Sequence, residues 1–80
     1  MADFTNEDRA SAAARGMRAY AKSKYEPGAE DDKTIFGDMI CDMLHLADLR
    51  GWDFDWMVAT ARSNHADEVA EERAEEEAED

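Results

Sequence analysis

The sequence predicts a small all-α protein, a three-helix bundle with an acidic C-terminal extension. Three segments repeat apolar residues at spacings of three and four, the period of an amphipathic helix. No segment alternates apolar and polar residues, and β-branched residues are few, with three Thr, two Ile and two Val. Because the chain has only 80 residues, we expect one packed domain over residues 1–66, followed by an extension over residues 67–80.

The first helix is predicted from about Asn6 to about Lys24. Thr5 is the expected N-cap, and Asp8 three residues later gives a variant of the capping box. The segment ends before Pro27, which cannot continue a helix. Its apolar stripe consists mostly of Ala. One flank carries three bases that we expect to pair with acids of the other helices, namely Arg15, Arg18 and Lys22.

The second helix is predicted from Asp32 to Arg50, with Asp31 as its N-cap and Gly51 at the position that ends it. Apolar residues occupy about half of its circumference at 100° per residue. A stripe of that width predicts the central core helix of the bundle. The residues of the stripe are Ile35, Phe36, Met39, Ile40, Met43, Leu44, Leu46 and Ala47.

The third helix is predicted to begin after Asp53, its candidate N-cap. Trp52 and Met57 match the two positions of a hydrophobic staple across that cap. Trp56 projects away from the apolar stripe, so we expect it either to be an interface anchor or to pack against the first helix or the loop. His65 lies in line with that stripe and is expected at the edge of the core. Few large apolar residues follow, and we expect fraying beyond about residue 70.

Motifs that carry chemistry are few. The chain has one Cys and two His, which exclude an internal disulfide and a zinc-finger ligand set. Cys41 and His45 are one helical turn apart, near Asp38 and Asp42, as in a nucleophile pair or a metal site. However, no Glu stands three residues before either His, unlike the di-metal bundles. We therefore expect no enzyme, no cofactor and no metal.

The charge is strongly acidic and unevenly distributed. The net charge is −12, with +2 over residues 1–25 and −14 over residues 26–80. Such a chain repels nucleic acid and anionic membranes and attracts basic surfaces. There is no apolar stretch of transmembrane length and no signal-peptide pattern at the N-terminus. We expect a cytoplasmic protein with a basic protein partner.

The last 14 residues carry a net charge of −8. As a helix they would hold about one charge per 2.6 Å, between the roughly 1.7 Å of duplex DNA and the 3.4 Å of a single strand. The tail is therefore either a nucleic-acid mimic or only a solubilising segment. For a mimic, the candidate partner-binding residues are Asp38, Asp42, Asp48, Asp53, Asp55, Trp56, Glu68, Glu71, Glu72 and Glu75.

Three stretches carry a resemblance to a known group of proteins: FTNEDRA near the start, MICDMLHLAD in the second helix, and GWDFDWMVATARSNH over residues 51–65. Over roughly residues 3–66 the chain resembles short proteins encoded by phages and mobile elements of proteobacteria. These include anti-CRISPR inhibitors of type I Cascade complexes. The resemblance implies a protein that acts in the host bacterial cytoplasm and keeps target DNA from a Cascade-like complex.

A different interpretation stays open. The chain is then a non-catalytic helical interaction module, monomeric or homodimeric, whose broad apolar second helix is covered by a partner. In that case the acidic tail only keeps the protein in solution. A core drawn from about 65 residues is marginal for a lone monomer, which favours completion by another chain.

Overall fold

The computed structural model of the protein describes residues 4–78. It contains three helices, α1 over Asn6–Lys24, α2 over Asp32–Arg50 and α3 over Phe54–Ala78, and no strand within this part of the chain. The all-α prediction is confirmed. The bounds of α1 and α2 agree with those predicted from the sequence.

Each helix begins at the residue predicted to cap it. At α1 the capping box forms, because the Asp8 backbone donates to Thr5 Oγ1 at 3.0 Å and the Thr5 backbone donates to Asp8 Oδ2 at 3.1 Å. At α2, Asp31 accepts a hydrogen bond from the Thr34 backbone at 2.8 Å. That bond holds the pKa of Asp31 below its ordinary value. At α3, Asp53 accepts from the backbone of Trp56 at 3.0 Å.

Gly51 ends α2 in the left-handed region, with φ 70° and ψ 29°. A Cβ in that conformation costs about 1 kcal/mol, so Gly51→Ala is expected to lower the free energy of unfolding by about that amount. Gly16→Ala is the matched control, since nothing lies within 4 Å of its added Cβ inside α1. It is expected to stabilise by up to about 1 kcal/mol. Urea unfolding of both variants measures the difference, and equal effects would contradict the assignment.

α3 does not fray at residue 70. It continues to Ala78, and the boundary drawn between residues 66 and 67 lies inside it. The start of α1 holds its second half in place. The Asn6 backbone donates to Glu72 Oε2 at 2.8 Å, the Asn6 side chain donates to the Glu68 carbonyl at 3.2 Å, and Arg9 pairs with Glu68 at 2.9 Å. Polar contacts to α1 therefore replace the apolar packing that the sequence lacks there.

The predicted role of α2 as the central core helix is wrong. α1 packs against both other helices, whereas α2 and α3 contact each other little. Only Ile35 and Ala47 are buried among the described residues. The apolar face of α1 consists mostly of Ala. Ala side chains are too short to cover an apolar stripe that occupies about half of the circumference of α2. Much of the apolar stripe of α2 therefore faces outward.

The molecule is open in shape. Its radius of gyration is 15.8 Å and its extents are 47 × 32 × 24 Å. A compact chain of this length has a radius of gyration of about 12 Å. None of the helices described over residues 4–78 combines the length and the apolar character needed to cross a membrane.

Candidate protein-interaction surface

Two of the acids predicted to contact a partner are engaged in the contact between α1 and α2. Asp42 accepts hydrogen bonds from the Tyr20 hydroxyl at 2.5 Å and from Lys24 Nζ at 2.6 Å. Asp38 accepts one from the hydroxyl of Tyr25. These carboxylates therefore join the two helices and present less charge outward than the sequence suggests.

Lys24 sits at the centre of this contact, with its Nζ 5.7 Å from the ring centroid of Tyr20 and 5.6 Å from that of Tyr25. The two rings meet edge to face at 6.2 Å. The hydrogen bond from Lys24 lowers the pKa of Asp42, and the same bond raises the pKa of Lys24. The bond to Asp38 raises the pKa of Tyr25, because the carboxylate opposes loss of the phenolic proton.

These shifts predict a stability contribution confined to a pH window. Asp42 contributes above its ordinary pKa of 3.8, and the contribution is lost as the pH falls through the lower pKa of the folded protein. Lys24 contributes below 10.5, and its contribution is lost as the pH rises through its raised pKa. We expect Asp42→Asn to lower the melting temperature at neutral pH, by an amount that shrinks below pH 3.8. Thermal scans across pH measure this, with Glu71→Gln, which changes an exposed acid inside α3 that forms neither of the ion pairs of residues 4–78, as the control. A difference between the wild type and the Asp42→Asn variant that stays constant with pH would contradict the prediction.

The acids of α3 divide between two faces. Glu68 and Glu72 are half-buried and face α1, where they bind Arg9 and Asn6. Glu71 and Glu75 lie about 60° around the helix from that pair. They are exposed and form neither of the two ion pairs found in residues 4–78. At 100° per residue they share an arc with Trp56 and Asp67. We call the set Trp56, Asp67, Glu71 and Glu75 the outer face of α3.

The turn between α2 and α3 forms an apolar notch of about 420 Å³, lined by Gly51, Trp52, Asp53, Trp56 and Met57. Trp56 is 65% exposed, so it is not packed against α1. The guanidinium of Arg50 lies 5.8 Å from the ring centroid of Trp52. Of the predicted acids nearby, Asp53 caps α3, while Asp48 and Asp55 are exposed. A protein side chain could enter this notch from the solvent side.

The basic flank of α1 does not pair as predicted. Among residues 4–78 the ion pairs join Arg9 to Glu68 and Lys24 to Asp42. Arg15, Arg18 and Lys22 instead line an open groove of about 970 Å³ beside the loop that connects α1 and α2. Glu26 and Glu30 line the same groove, and they form neither of those two ion pairs.

Among the described residues, one group of possible metal-ligand atoms comes together, on α2. Donor atoms of Cys41, Asp42 and His45 lie within 4.8 Å of one another. However, Lys24 already donates to Asp42 and places a positive charge where a cation would bind. Cys41 and His45 are both exposed on α2. His65 is also exposed, so the prediction of a core-edge histidine is wrong.

Sequence reasoning missed the size of the apolar surface. Among the described residues the exposed large apolar side chains are Phe4, Phe36, Ile40, Met43, Leu44, Leu46, Leu49, Trp52, Trp56 and Met57. The signal was present in the disparity between a broad stripe on α2 and a narrow Ala stripe on α1.

The described residues thus present three features to solvent: the outer face of α3, the notch beside it, and the apolar stripe of α2. The first two adjoin, since Trp56 belongs to both. Comparisons with protein families, with curated proteins and with solved structures found no match to this chain.

Proposed function

We propose that this protein is a non-catalytic inhibitor that binds the basic, DNA-binding surface of another protein and keeps nucleic acid away from it. The observation that carries the proposal is the outer face of α3. Its acids Asp67, Glu71 and Glu75 are exposed and four residues apart, and they form no ion pair with the rest of residues 4–78. An apolar anchor, Trp56, lies on the same face.

The dimensions of this face suit a groove that holds nucleic acid. From Asp67 to Glu75 the helix rises about 12 Å, and carboxylates one turn apart are separated by about 5–6 Å. A row of Lys and Arg side chains that normally contacts phosphates would meet carboxylates at comparable intervals. The net charge of −12 would steer the chain toward such a row over long distances.

The target that we propose is a type I Cascade-like surveillance complex, as the resemblance to phage anti-CRISPR proteins implies. The chain then acts stoichiometrically in the host bacterial cytoplasm. Glu68 and Glu72, which the sequence offered as phosphate substitutes, would serve instead to hold α3 against α1. Asp38 and Asp42 would likewise fix α2, which leaves binding to the outer acids, to Asp48 and Asp55, and to Trp56.

Capture from a lysate that contains surveillance complexes tests this proposal. The tagged protein is washed at about 100 mM and then about 500 mM salt, because screening weakens contacts between exposed charges. Binding of target DNA by the captured complex is then assayed. Salt-sensitive capture together with blocked DNA binding would support the proposal. The absence of capture at low salt would overturn it.

One double variant distinguishes the proposed inhibitor from the alternative, an interaction module with a solubilising tail. Glu71→Gln with Glu75→Gln removes two outer charges and leaves the contacts of Glu68 and Glu72 with α1 in place. Truncating residues 67–80 would be less informative, because it also removes those contacts. Full inhibition by the double variant would favour the module, and reduced inhibition would favour the mimic.

A further inference from the structure

A second surface of the protein lies on α2, away from the outer face of α3. Phe36, Ile40, Met43 and Leu44 are between 42% and 56% exposed. Their spacing places them within an arc of about 100° on one side of the helix. From residue 36 to residue 47 this arc contains no charged side chain. We call these four residues the α2 face.

We propose that the α2 face is the interface between two copies of this chain, which pair to form a homodimer. The proposal does not depend on the proposed function. It follows from how little of the chain is buried in one copy and from the surface left over.

The surface area supports a partner of this size. The accessible surface is 6867 Å² for a chain of 9.0 kDa. A compact monomer of that mass exposes about 4,850 Å², so each chain has an excess of roughly 2,000 Å². Stable homodimer interfaces bury about 2,000–5,000 Å² in total. Half of the excess from each of two copies already reaches that range.

The small buried core favours a copy of the chain itself as the partner. Only two side chains are buried in the described part of the chain. Ile35 and Ala47 alone cannot form the core of a folded domain. The missing core has to be supplied as the chain folds, and another copy is present wherever the chain is made. An apolar patch free of charge at its centre is also typical of homodimer interfaces.

The ends of α2 carry charges that complement a copy running in the opposite direction. Asp32 and Lys33 lie at the start of the helix, and Asp48 and Arg50 lie at its end. In an antiparallel pair, Lys33 of one copy approaches Asp48 of the other, and Asp32 approaches Arg50. The helix dipoles also oppose each other in that arrangement. The geometry therefore favours a two-fold axis near the middle of α2.

The dependence on salt distinguishes formation of this dimer from binding to a basic target. Two chains of −12 repel each other, so screening should strengthen an apolar dimer, whereas it should weaken binding to a basic surface. Sedimentation equilibrium and far-ultraviolet circular dichroism of the untagged full chain, at low and high salt and over a wide concentration range, measure mass and helix content together. We expect a mass of twice 9.0 kDa. On dilution the dimer should dissociate and the helix content should fall. In high salt this dissociation should occur at a lower protein concentration than in low salt.

Ile40→Glu places a charge at the centre of the α2 face, and Leu49→Glu is its matched control. Leu49 is 84% exposed on the same helix but outside the arc. Ile40→Glu is expected to halve the mass of the particle in solution or to lower its helix content. Leu49→Glu is expected to preserve the dimer. A wild-type chain that stays monomeric and helical at high concentration and high salt would overturn the proposal. Equal loss of the dimer in both variants would also overturn the proposal, because the interface would then not be specific to the α2 face.

The two proposals fail in different ways. A monomeric chain that still captures its target in a salt-sensitive manner would leave the proposed function standing. A dimer that captures nothing would leave the α2 interface standing and remove the function.

Discussion

Charge reversal at Glu71 and Glu75 is expected to weaken binding to the basic target about 100-fold, because like charges placed against each other across an interface cost several kcal/mol. Both residues are exposed on the outer face of α3, so replacement by Lys should leave the fold unchanged. The loss should appear as a slower association rate and a shallower dependence on salt. Surface plasmon resonance against the purified target at two salt concentrations measures both.

The matched control reverses two acids elsewhere. Glu26→Lys with Glu30→Lys changes the net charge by the same amount, in the exposed loop between α1 and α2. If total charge alone drives binding, both double variants lose affinity equally. A loss confined to the Glu71 and Glu75 pair would locate the contact on α3, and an unaffected pair would exclude that face.

Trp56→Ala is expected to weaken the same binding by about 30-fold or more, since truncating an aromatic residue that anchors an interface costs about 2 kcal/mol or more. The indole is 65% exposed and lines the apolar notch, so the isolated protein loses little packing with it. The loss should appear mainly in the dissociation rate and persist in high salt. Thermal unfolding of the variant checks that its stability is close to that of the wild type.

Leu49→Ala serves as the control for removal of an exposed apolar side chain, since it lies on α2 and is 84% exposed. It should bind the target as the wild type does. Equal losses in both variants would show that apolar area in general, and not the notch, determines affinity. No loss at Trp56 would assign binding to charge alone.

The helix ends were predictable from the sequence because their signals are local. The Thr5 and Asp8 box, the Asp31 cap and the glycine at 51 each act within four residues of the boundary they set. The capping bonds of Thr5, Asp31 and Gly51 join groups that are no more than four residues apart. The approximate bounds predicted for α1 and α2 therefore agree with those of the structure.

The packing was not predictable in the same way, because it depends on pairs far apart in the chain. Asp42 meets Tyr20 across 22 positions, and Glu72 meets Asn6 across 66. A helical wheel places each acid on a face but does not reveal which helix lies opposite. For this reason the sequence analysis treated Asp38 and Asp42 as unpaired surface charges. It also predicted that the second half of α3 would fray.

The positions of the aromatic residues give the protein two separate optical reporters. Both Trp residues flank the turn between α2 and α3, whereas Tyr20 and Tyr25 lie at the contact between α1 and α2. Indole fluorescence should therefore shift to shorter wavelength when a ligand covers the notch, without a contribution from changes elsewhere. Near-ultraviolet dichroism of the tyrosines should follow the opening of the α1–α2 contact. One unlabelled sample can thus report docking and unfolding as distinct signals.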